Sequence, residues 1–311
     1  MNKHGPEIAG AARSLINMAE VAEIELLILR RMREVTIGDH RSLSHGAGFD
    51  YVGLRSWQAG DRFSTIDWPQ STLTNFSPLI VREFEQPSTA TVLVVADASL
   101  STRCGAHGVR IASLVARAIA TIGMSAVFFQ DMFGLAAFDD AGQRLAAIRP
   151  RIGRNQVIHC LDAYQNHQGL QEVRDTGSMS MTIGSFMRKT ALIPFVSDFL
   201  FDDPRAVMDE LSLLNAAHDV FIVLIDAAFA FELPHVSAGW VEAVDIETGR
   251  TRMMSRAALT SMAEKVRAWQ HDVARTARDV GLDVVRFGTE PVANDLALAE
   301  FVAERRLRKV A

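Results

Sequence analysis

The sequence predicts an α/β protein: a doubly wound, mostly parallel sheet, preceded by an N-terminal helix and a small β-rich subdomain. Two observations carry this. From residue 91 onward, short apolar runs alternate with helix-like stretches. Before that, residues 35–90 are rich in glycine (Gly38, Gly46, Gly48, Gly53, Gly60), and short strand-like pieces alternate with turns.

Taken in order, residues 7–34 read as a helix. Leu15, Met18, Val21, Ala22, Glu25, Leu26 and Leu29 give a mostly apolar stripe of period 3.6, and Arg30, Arg31 and Arg33 close it. Cations in a last turn complement the helix dipole. In the β-rich segment Leu79–Phe84 is the clearest strand, and Pro87-Ser88 marks the boundary to the third part, 91–311. There, strands are expected at 91–97, 124–130, 132–138, 191–197, 219–226 and 282–287. Helices are expected at 106–121, 155–165, 203–217, 256–280 and 292–306. The pair 124–130 and 132–138 is joined too tightly for a crossover, so it reads as a hairpin with an antiparallel edge strand. Residues 168–185 read as a polar loop. Residues 233–254 read as a hairpin insertion that turns at Glu247-Thr248-Gly249.

Composition limits the function classes. With 311 residues, 49% of them hydrophobic, the chain can bury a substantial core. A net charge of −5 gives no basis for nonspecific nucleic-acid binding. Cys104 and Cys160 make no disulfide framework and fit a reducing compartment. Cys104 lies near an expected helix start, which favours a reactive thiol, or it is simply a small semi-buried residue. The first residues lack the apolar core of a signal peptide. The run Ile111–Phe129 comes nearest to a membrane span, but Arg117 and Gly123 interrupt it and it divides into a helix and a strand. The expectation is a cytoplasmic protein with no membrane span.

Chemistry concentrates at the end of the first sheet strand. Thr91–Ala96 runs into Asp97-Ala98-Ser99-Leu100-Ser101, where one carboxylate and two hydroxyls alternate. Such an oxygen-rich set suits Mg²⁺, which keeps several water positions. Doubly wound sheets bind ligands beyond the carboxyl ends of their strands, where strand order reverses. A second apolar strand, Ala191–Val196, ends in Ser197-Asp198-Phe199, so Asp198 supplies a second carboxylate. Asp226 follows another apolar strand and is a further acidic strand end. The competing structural role for each of these residues is a helix cap.

This constellation resembles the metal-ion-dependent adhesion site of von Willebrand factor A domains, in which a D-x-S-x-S turn is joined by a threonine and then an aspartate from later loops. Asp97, Ser99 and Ser101 match the first element and Asp198 the last. Near 151–156, where the threonine loop is expected, there is no threonine, and Asn155 is the nearest polar candidate.

The preceding region carries a second resemblance. Arg55, Trp57, Gly60-Asp61 and Ile66-Asp67-Trp68, followed by Val81–Glu85, resemble the signature of the domain-of-unknown-function-58 (DUF58) family. Asp245, Glu247-Thr248-Gly249 and the late Arg305-Arg306 also fit it. The resemblance implies a von Willebrand factor A-like, Rossmann-like fold and a protein-interaction role as an adaptor or chaperone-like partner of a MoxR-type AAA+ ATPase or its client. Bound Mg²⁺ would then grip an acidic group of the partner. Read physically, Arg55, Asp61 and Asp67 are expected to form an ion-paired network, and Trp57 and Trp68 to dock the segment on the α/β core.

No G-x-x-x-x-G-K-[S/T] loop, H-E-x-x-H pair, G-x-S-x-G elbow or D-x-D-x-[T/V] motif occurs. His107 is close to the site in sequence but is expected on a helix surface. The expectation is therefore a non-enzymatic module. A metal-dependent hydrolase or phosphoryl-transfer enzyme on the same strand ends, or a structural subunit with a non-functional metal site, are the alternatives.

Overall fold

A computed structural model of the chain describes residues 14–39, 50–59, 61, 63, 66–85, 89–139, 144–166, 168–173, 177–232, 239–244 and 250–308. Gly60, Pro87, Ser88 and the turn at 245–249 lie outside the described residues. The chain divides into two compact units. One comprises the residues up to Arg31 together with those from Ala90 onward, and the other is Met32–Thr89.

In the larger unit every residue of β3 (Thr91–Asp97) is buried, as a continuous apolar run covered on both faces must be. It pairs in parallel with β6 (Met132–Asp139) on one side and β9 (Leu192–Ser197) on the other. Beyond β9 come β10 (Asp219–Ile225) and β13 (Asp283–Phe287), both parallel. Beyond β6 come the antiparallel β7 (Arg144–Ile152) and the two-residue β8 (Gln171–Glu172). The order β13-β10-β9-β3-β6-β7-β8 therefore reverses direction between β3 and β9, which is where such sheets bind ligands.

Helices α5 (Met179–Phe186), α6 (Pro204–Asn215) and α7 (Arg256–Asp279) bury apolar side chains in one cluster with Leu93, Val95, Phe138 and Phe195 of the sheet. Helices α3 (Ile111–Phe128), α4 (Arg154–Asn166) and α8 (Pro291–Arg308) pack together as a second group, with α3 against both α4 and α8. The start of α1 (Met18–Asp39) is tied to that group by Glu25–Arg154 (2.9 Å) and Arg31–Glu300 (2.5 Å). At the amino ends of the strands, Arg305 of α8 pairs with Asp219 and Asp283, and Arg306 pairs with buried Asp131 at 3.1 Å.

Several elements differ from the sequence reading. Helix α1 starts at Met18, where Asn17 caps it: the Asn17 side chain accepts from the Ala19 and Glu20 amides, and Glu20 accepts from the Asn17 amide. This is a reciprocal capping box. The helix continues past Arg33, so the arginines do not close it, and its buried positions are Val21, Ile24, Ile28 and Met32. The stripe is thus rotated relative to the expected one, and Met18 and Leu26 are exposed.

Of the expected strand 124–130, residues 124–128 form the end of α3 and 129–130 the turn that follows it. The antiparallel edge pair is β6–β7 instead. Gly123 does not interrupt α3. A Cβ there would lie 2.5 Å from Val157 Cγ1, so glycine is what lets α4 approach. Arg117 does not interrupt it either, because its guanidinium binds both oxygens of fully buried Asp295 on α8. Helix α3 has the length and composition of a membrane span, and 78% of it is buried inside the protein.

Helix α3 also starts later than expected, because β4 (Gly105–Ala106) and β5 (Val109–Arg110) form a small hairpin before it. His107 and Gly108 both take positive φ at its tip, the conformation of a tight two-residue hairpin turn. Residues 168–185 are not only loop: they hold β8 and most of α5, which is capped by Ser178. The insertion hairpin is present as β11 (Trp240–Val244) against β12 (Thr251–Ser255).

In the smaller unit β1 (Asp50–Ser56) pairs antiparallel with β2 (Ile80–Glu85), and buried Ile66 bridges to Val81. The short helix α2 (Trp68–Leu73) begins on Asp67, whose carboxylate accepts from the Gln70 amide at 3.1 Å.

The close approach at Gly123 is testable. Gly123→Ala gains helix propensity of up to about 1 kcal/mol, but forces its methyl into Val157 and Phe133, a type of overpacking that costs about 1–3 kcal/mol. Urea denaturation is expected to show net destabilisation, relieved by the compensating Val157→Ala.

Candidate metal centre

Asp97 closes β3 and Asp198 follows β9 directly, and Ala96 pairs with Val196 in the register between these strands. Adjacent strands lie about 4.8 Å apart, so the two aspartates leave the sheet side by side at its point of reversal. Both residues are fully buried.

Their surroundings differ. Asp97 Oδ1 accepts from the Ser99 amide at 2.8 Å, and Oδ2 accepts from the Ser197 hydroxyl at 2.5 Å. The Asp97 carbonyl is held by the Tyr164 hydroxyl of α4 at 2.6 Å. Asp198 Oδ1 accepts from the Leu200 amide at 3.0 Å, but its Oδ2 is buried without a hydrogen-bond partner. The Asp198 carbonyl accepts from Gln270 Nε2 of α7 at 2.9 Å. The same Nε2 donates to the Ile225 carbonyl, so Gln270 ties the ends of β9 and β10 together. Phe199, next in the chain, takes a left-handed φ of 56°, and its carbonyl accepts from Trp269.

The Ser99 and Ser101 hydroxyls lie 3.0 Å apart on the turn that follows Asp97. Of the four residues singled out in the sequence, the structure brings Asp97, Ser99 and Ser101 onto one turn and places Asp198 beside it. Asn155 is exposed on the first turn of α4 and makes no side-chain hydrogen bond among the described residues. Asp226 instead closes its own turn by accepting from the Ala228 amide. His107 is exposed at a hairpin tip rather than on a helix. Ser197, Tyr164 and Gln270 were not selected from the sequence. Ser197 stands beside a chosen aspartate, but nothing local marks Tyr164 or Gln270.

Electrostatically the site is short of positive charge. Burial, then the neighbouring Asp97 charge, pushes the Asp198 carboxyl up to about 7, against the Leu200 amide and the Ser101 hydroxyl, which favour the charged form. Burial also raises Asp97, while hydrogen bonds from Ser197 and Ser99 oppose it. Asp97 is the better hydrogen-bonded of the two, so at neutral pH a shared proton belongs on Asp198. Cys104 is half-buried, and burial together with the Asp198 charge raises its thiol, which removes the expectation of a reactive cysteine. No cluster of three or more His, Cys, Asp or Glu side chains suited to a metal occurs among the described residues. The available donors are two carboxylates and two hydroxyls, a hard-oxygen set that fits Mg²⁺ with water completing its shell.

The smaller unit holds the other motif residues. Arg55 makes a two-pronged bond to Asp61, at 2.8 Å to each oxygen. Asp61 also accepts from the Gln58 amide. These contacts, the Arg55 bond foremost, hold the Asp61 carboxyl down to about 2. This support is present above pH 4 and is lost as pH falls through 2. Asp67 serves as the α2 cap and Ile66 as a core bridge. Trp57 stacks on Phe63 with ring centroids 6.4 Å apart, and Trp68 is 54% exposed.

Residues 53–278 match the profile of the family described as "Protein of unknown function DUF58". The chain belongs to that family. DUF58 relatives include the uncharacterized proteins Rv1480 of Mycobacterium tuberculosis (strain H37Rv) and Mb1516 of Mycobacterium bovis. Each is 28% identical over 311 residues, covering 97% of this chain and 90% of the relative. Among solved structures, an aerotolerance-related membrane protein from Bacteroides fragilis is similar at 11% identity and TM-score 0.40. It covers 70% of this DUF58 chain and 99% of that protein. BatB from Bacteroides thetaiotaomicron is similar at 12% identity and TM-score 0.38, with the same coverage.

The raised Asp198 carboxyl predicts a pH signature. Between pH 4 and 7 the folded chain holds a proton that the unfolded chain has released, so stability falls as pH rises through this window. The total loss is on the order of a few kcal/mol. Denaturant titrations at stepped pH in chelator are expected to show this slope in the native chain and a flatter one in Asp198→Asn.

Proposed function

We propose that this DUF58 chain is a non-enzymatic interaction module built on a von Willebrand factor A-like domain. In this reading Asp97, Ser99, Ser101 and Asp198 hold Mg²⁺, and the ion takes an acidic group of a partner protein as a further ligand. The observation that carries the reading is the buried, unpartnered Oδ2 of Asp198 beside the equally buried Asp97. A divalent cation there supplies the missing partner and removes the repulsion between two desolvated carboxylates. With few protein ligands, Mg²⁺ keeps exchangeable water positions, which a carboxylate from another protein can replace.

The partner class follows from the family resemblance: a MoxR-type AAA+ ATPase or its client, in the cytoplasm. The sequence has no phosphate-binding loop of the P-loop type, so ATP hydrolysis is assigned to the other chain. Ser197, Tyr164 and Gln270 act as positioning residues that fix the two strand ends. A hydrolytic role on the same strand ends has no specific observation in its favour.

Calorimetry with MgCl₂ or MnCl₂ is expected to give one saturable site. Asp97→Asn and Asp198→Asn should each weaken it by more than the roughly tenfold that loss of an outer hydrogen-bond partner costs. The same variants should lose the Mg²⁺-dependent part of partner capture while keeping the native circular-dichroism spectrum. Undiminished capture of an AAA+ partner by Asp198→Asn in the presence of EDTA would refute the bridging role.

A further inference from the structure

The turn that follows Asp198 contains a strained residue. Phe199 is fully buried and takes a φ of 56°, a left-handed conformation that bulky side chains rarely adopt. Glycine or asparagine is the usual occupant of such a position. Here a ring is kept instead, packed against Phe195 and Phe201 with centroids 5.4 and 5.6 Å away. Strain of this kind persists only where the surroundings over-determine the backbone.

Helix α7 supplies the other constraint. Carbonyls of successive residues in a strand point to opposite sides. Beyond β9 that alternation ends. The Asp198 carbonyl accepts from Gln270 Nε2 and the Phe199 carbonyl from Trp269 Nε1, each at 2.9 Å. Two consecutive side chains of α7 therefore hold two consecutive carbonyls. Gln270 is buried and also bonds the Ile225 carbonyl and the Ala227 amide. Trp269 is 37% exposed. A partly exposed indole N–H can be satisfied by water, so this bond answers a need of the buried carbonyl rather than of the indole.

We infer that Trp269 is a positioning residue for the cation site: by holding the Phe199 carbonyl it keeps Phe199 left-handed, and so fixes the direction in which the Asp198 carboxylate leaves the chain. The inference rests on the proposed cation binding at Asp97 and Asp198. The link from Phe199 to the carboxylate is short. Asp198 Oδ1 accepts from the Leu200 amide at 3.0 Å, a bond that closes across Phe199. Relaxation of φ at Phe199 opens that bond and turns the unpartnered Oδ2 away from its present place beside Asp97. Trp269 acts through this turn and not as a ligand.

The test compares the native full-length chain with Trp269→Phe, which keeps an aromatic ring and removes the donor. In calorimetry with MnCl₂ the variant should bind roughly three- to tenfold more weakly, as loss of one hydrogen bond predicts. In EDTA, hydrogen exchange should show the Leu200 amide less protected in the variant, while the amides of β3 keep native protection. A merely structural indole would change protection throughout the unit or nowhere. Arg267→Ala, which removes the neighbouring exposed ion pair with Glu232, should leave both readings unchanged. Native Mn²⁺ affinity or native Leu200 protection in Trp269→Phe overturns the inference and leaves the cation site standing. An equal loss in Arg267→Ala also overturns it, because any disturbance of α7 would then suffice. Absence of saturable Mg²⁺ or Mn²⁺ binding by the native chain overturns the cation reading, and this inference with it. That failure is distinguishable because it appears without any variant.

Discussion

Two fully buried carboxylates, Asp97 and Asp198, leave the sheet side by side where its strand order reverses. Much of that end of the molecule is arranged around them. Two desolvated like charges cannot both stay ionised without compensation, so the site must hold either a proton or a cation. The protein spends its local hydrogen bonds unequally. Asp97 receives the Ser99 amide and the Ser197 hydroxyl on its two oxygens, whereas Asp198 receives the Leu200 amide on Oδ1 and its Oδ2 has no hydrogen-bond partner among the described residues. The backbone is nevertheless fixed on both sides, by Tyr164 under the Asp97 carbonyl and Gln270 under the Asp198 carbonyl. Side chains from α4 and α7, on either side of the sheet in sequence order, thus converge on the two strand ends. The rigid part of the site is its backbone, and the uncommitted part is one carboxylate oxygen.

The rest of the larger unit treats its buried acids differently. Asp131 is met by Arg306 and Asp295 by Arg117, and the half-buried Asp219 is met by Arg305. Arg305 also packs against the rings of Phe221 and Phe301, which holds its guanidinium in place for the ion pairs. Losing one member of such a pair is expensive because the other is left buried and charged. Against this pattern Asp97 and Asp198 stand out, since among the described residues no arginine or lysine contributes to the environment of either. A cation from solution is the compensation that this arrangement leaves open.

The sheet was legible in the sequence because its central strands are buried on both faces and read as apolar runs that end in acidic or polar residues. The position of Asp198 opposite Asp97 followed from the rule that ligand sites lie at the strand-order reversal. Residues 124–130 were misread because a short apolar run has the same appearance in a strand as in a buried helix. Gly123, which suggested a break, is a helix-crossing contact with Val157. Arg117, which interrupts the apolar run in the sequence, is neutralised by a residue 178 positions away. Tyr164 and Gln270 were out of reach for the same reason: their partners lie 67 and 72 residues away and no local pattern marks the contact. The Arg55–Asp61 pair was readable because only six residues separate them. Asp67 was assigned to that network, yet its local setting, an aspartate two residues before Pro69, is that of a helix cap.

The charges of the larger unit are separated in depth as well as in position. The acids at the strand ends are buried, whereas Arg103 and Arg110 are exposed on the segment that leads away from Ser101. Leu100, between the two serines, is 42% exposed. The nearest thiol, Cys104, is held in its protonated form by burial and by Asp198, and His107 stands on the hairpin tip. The groups that remain at the strand ends are therefore oxygen donors, and these are the groups on which the proposed cation site draws.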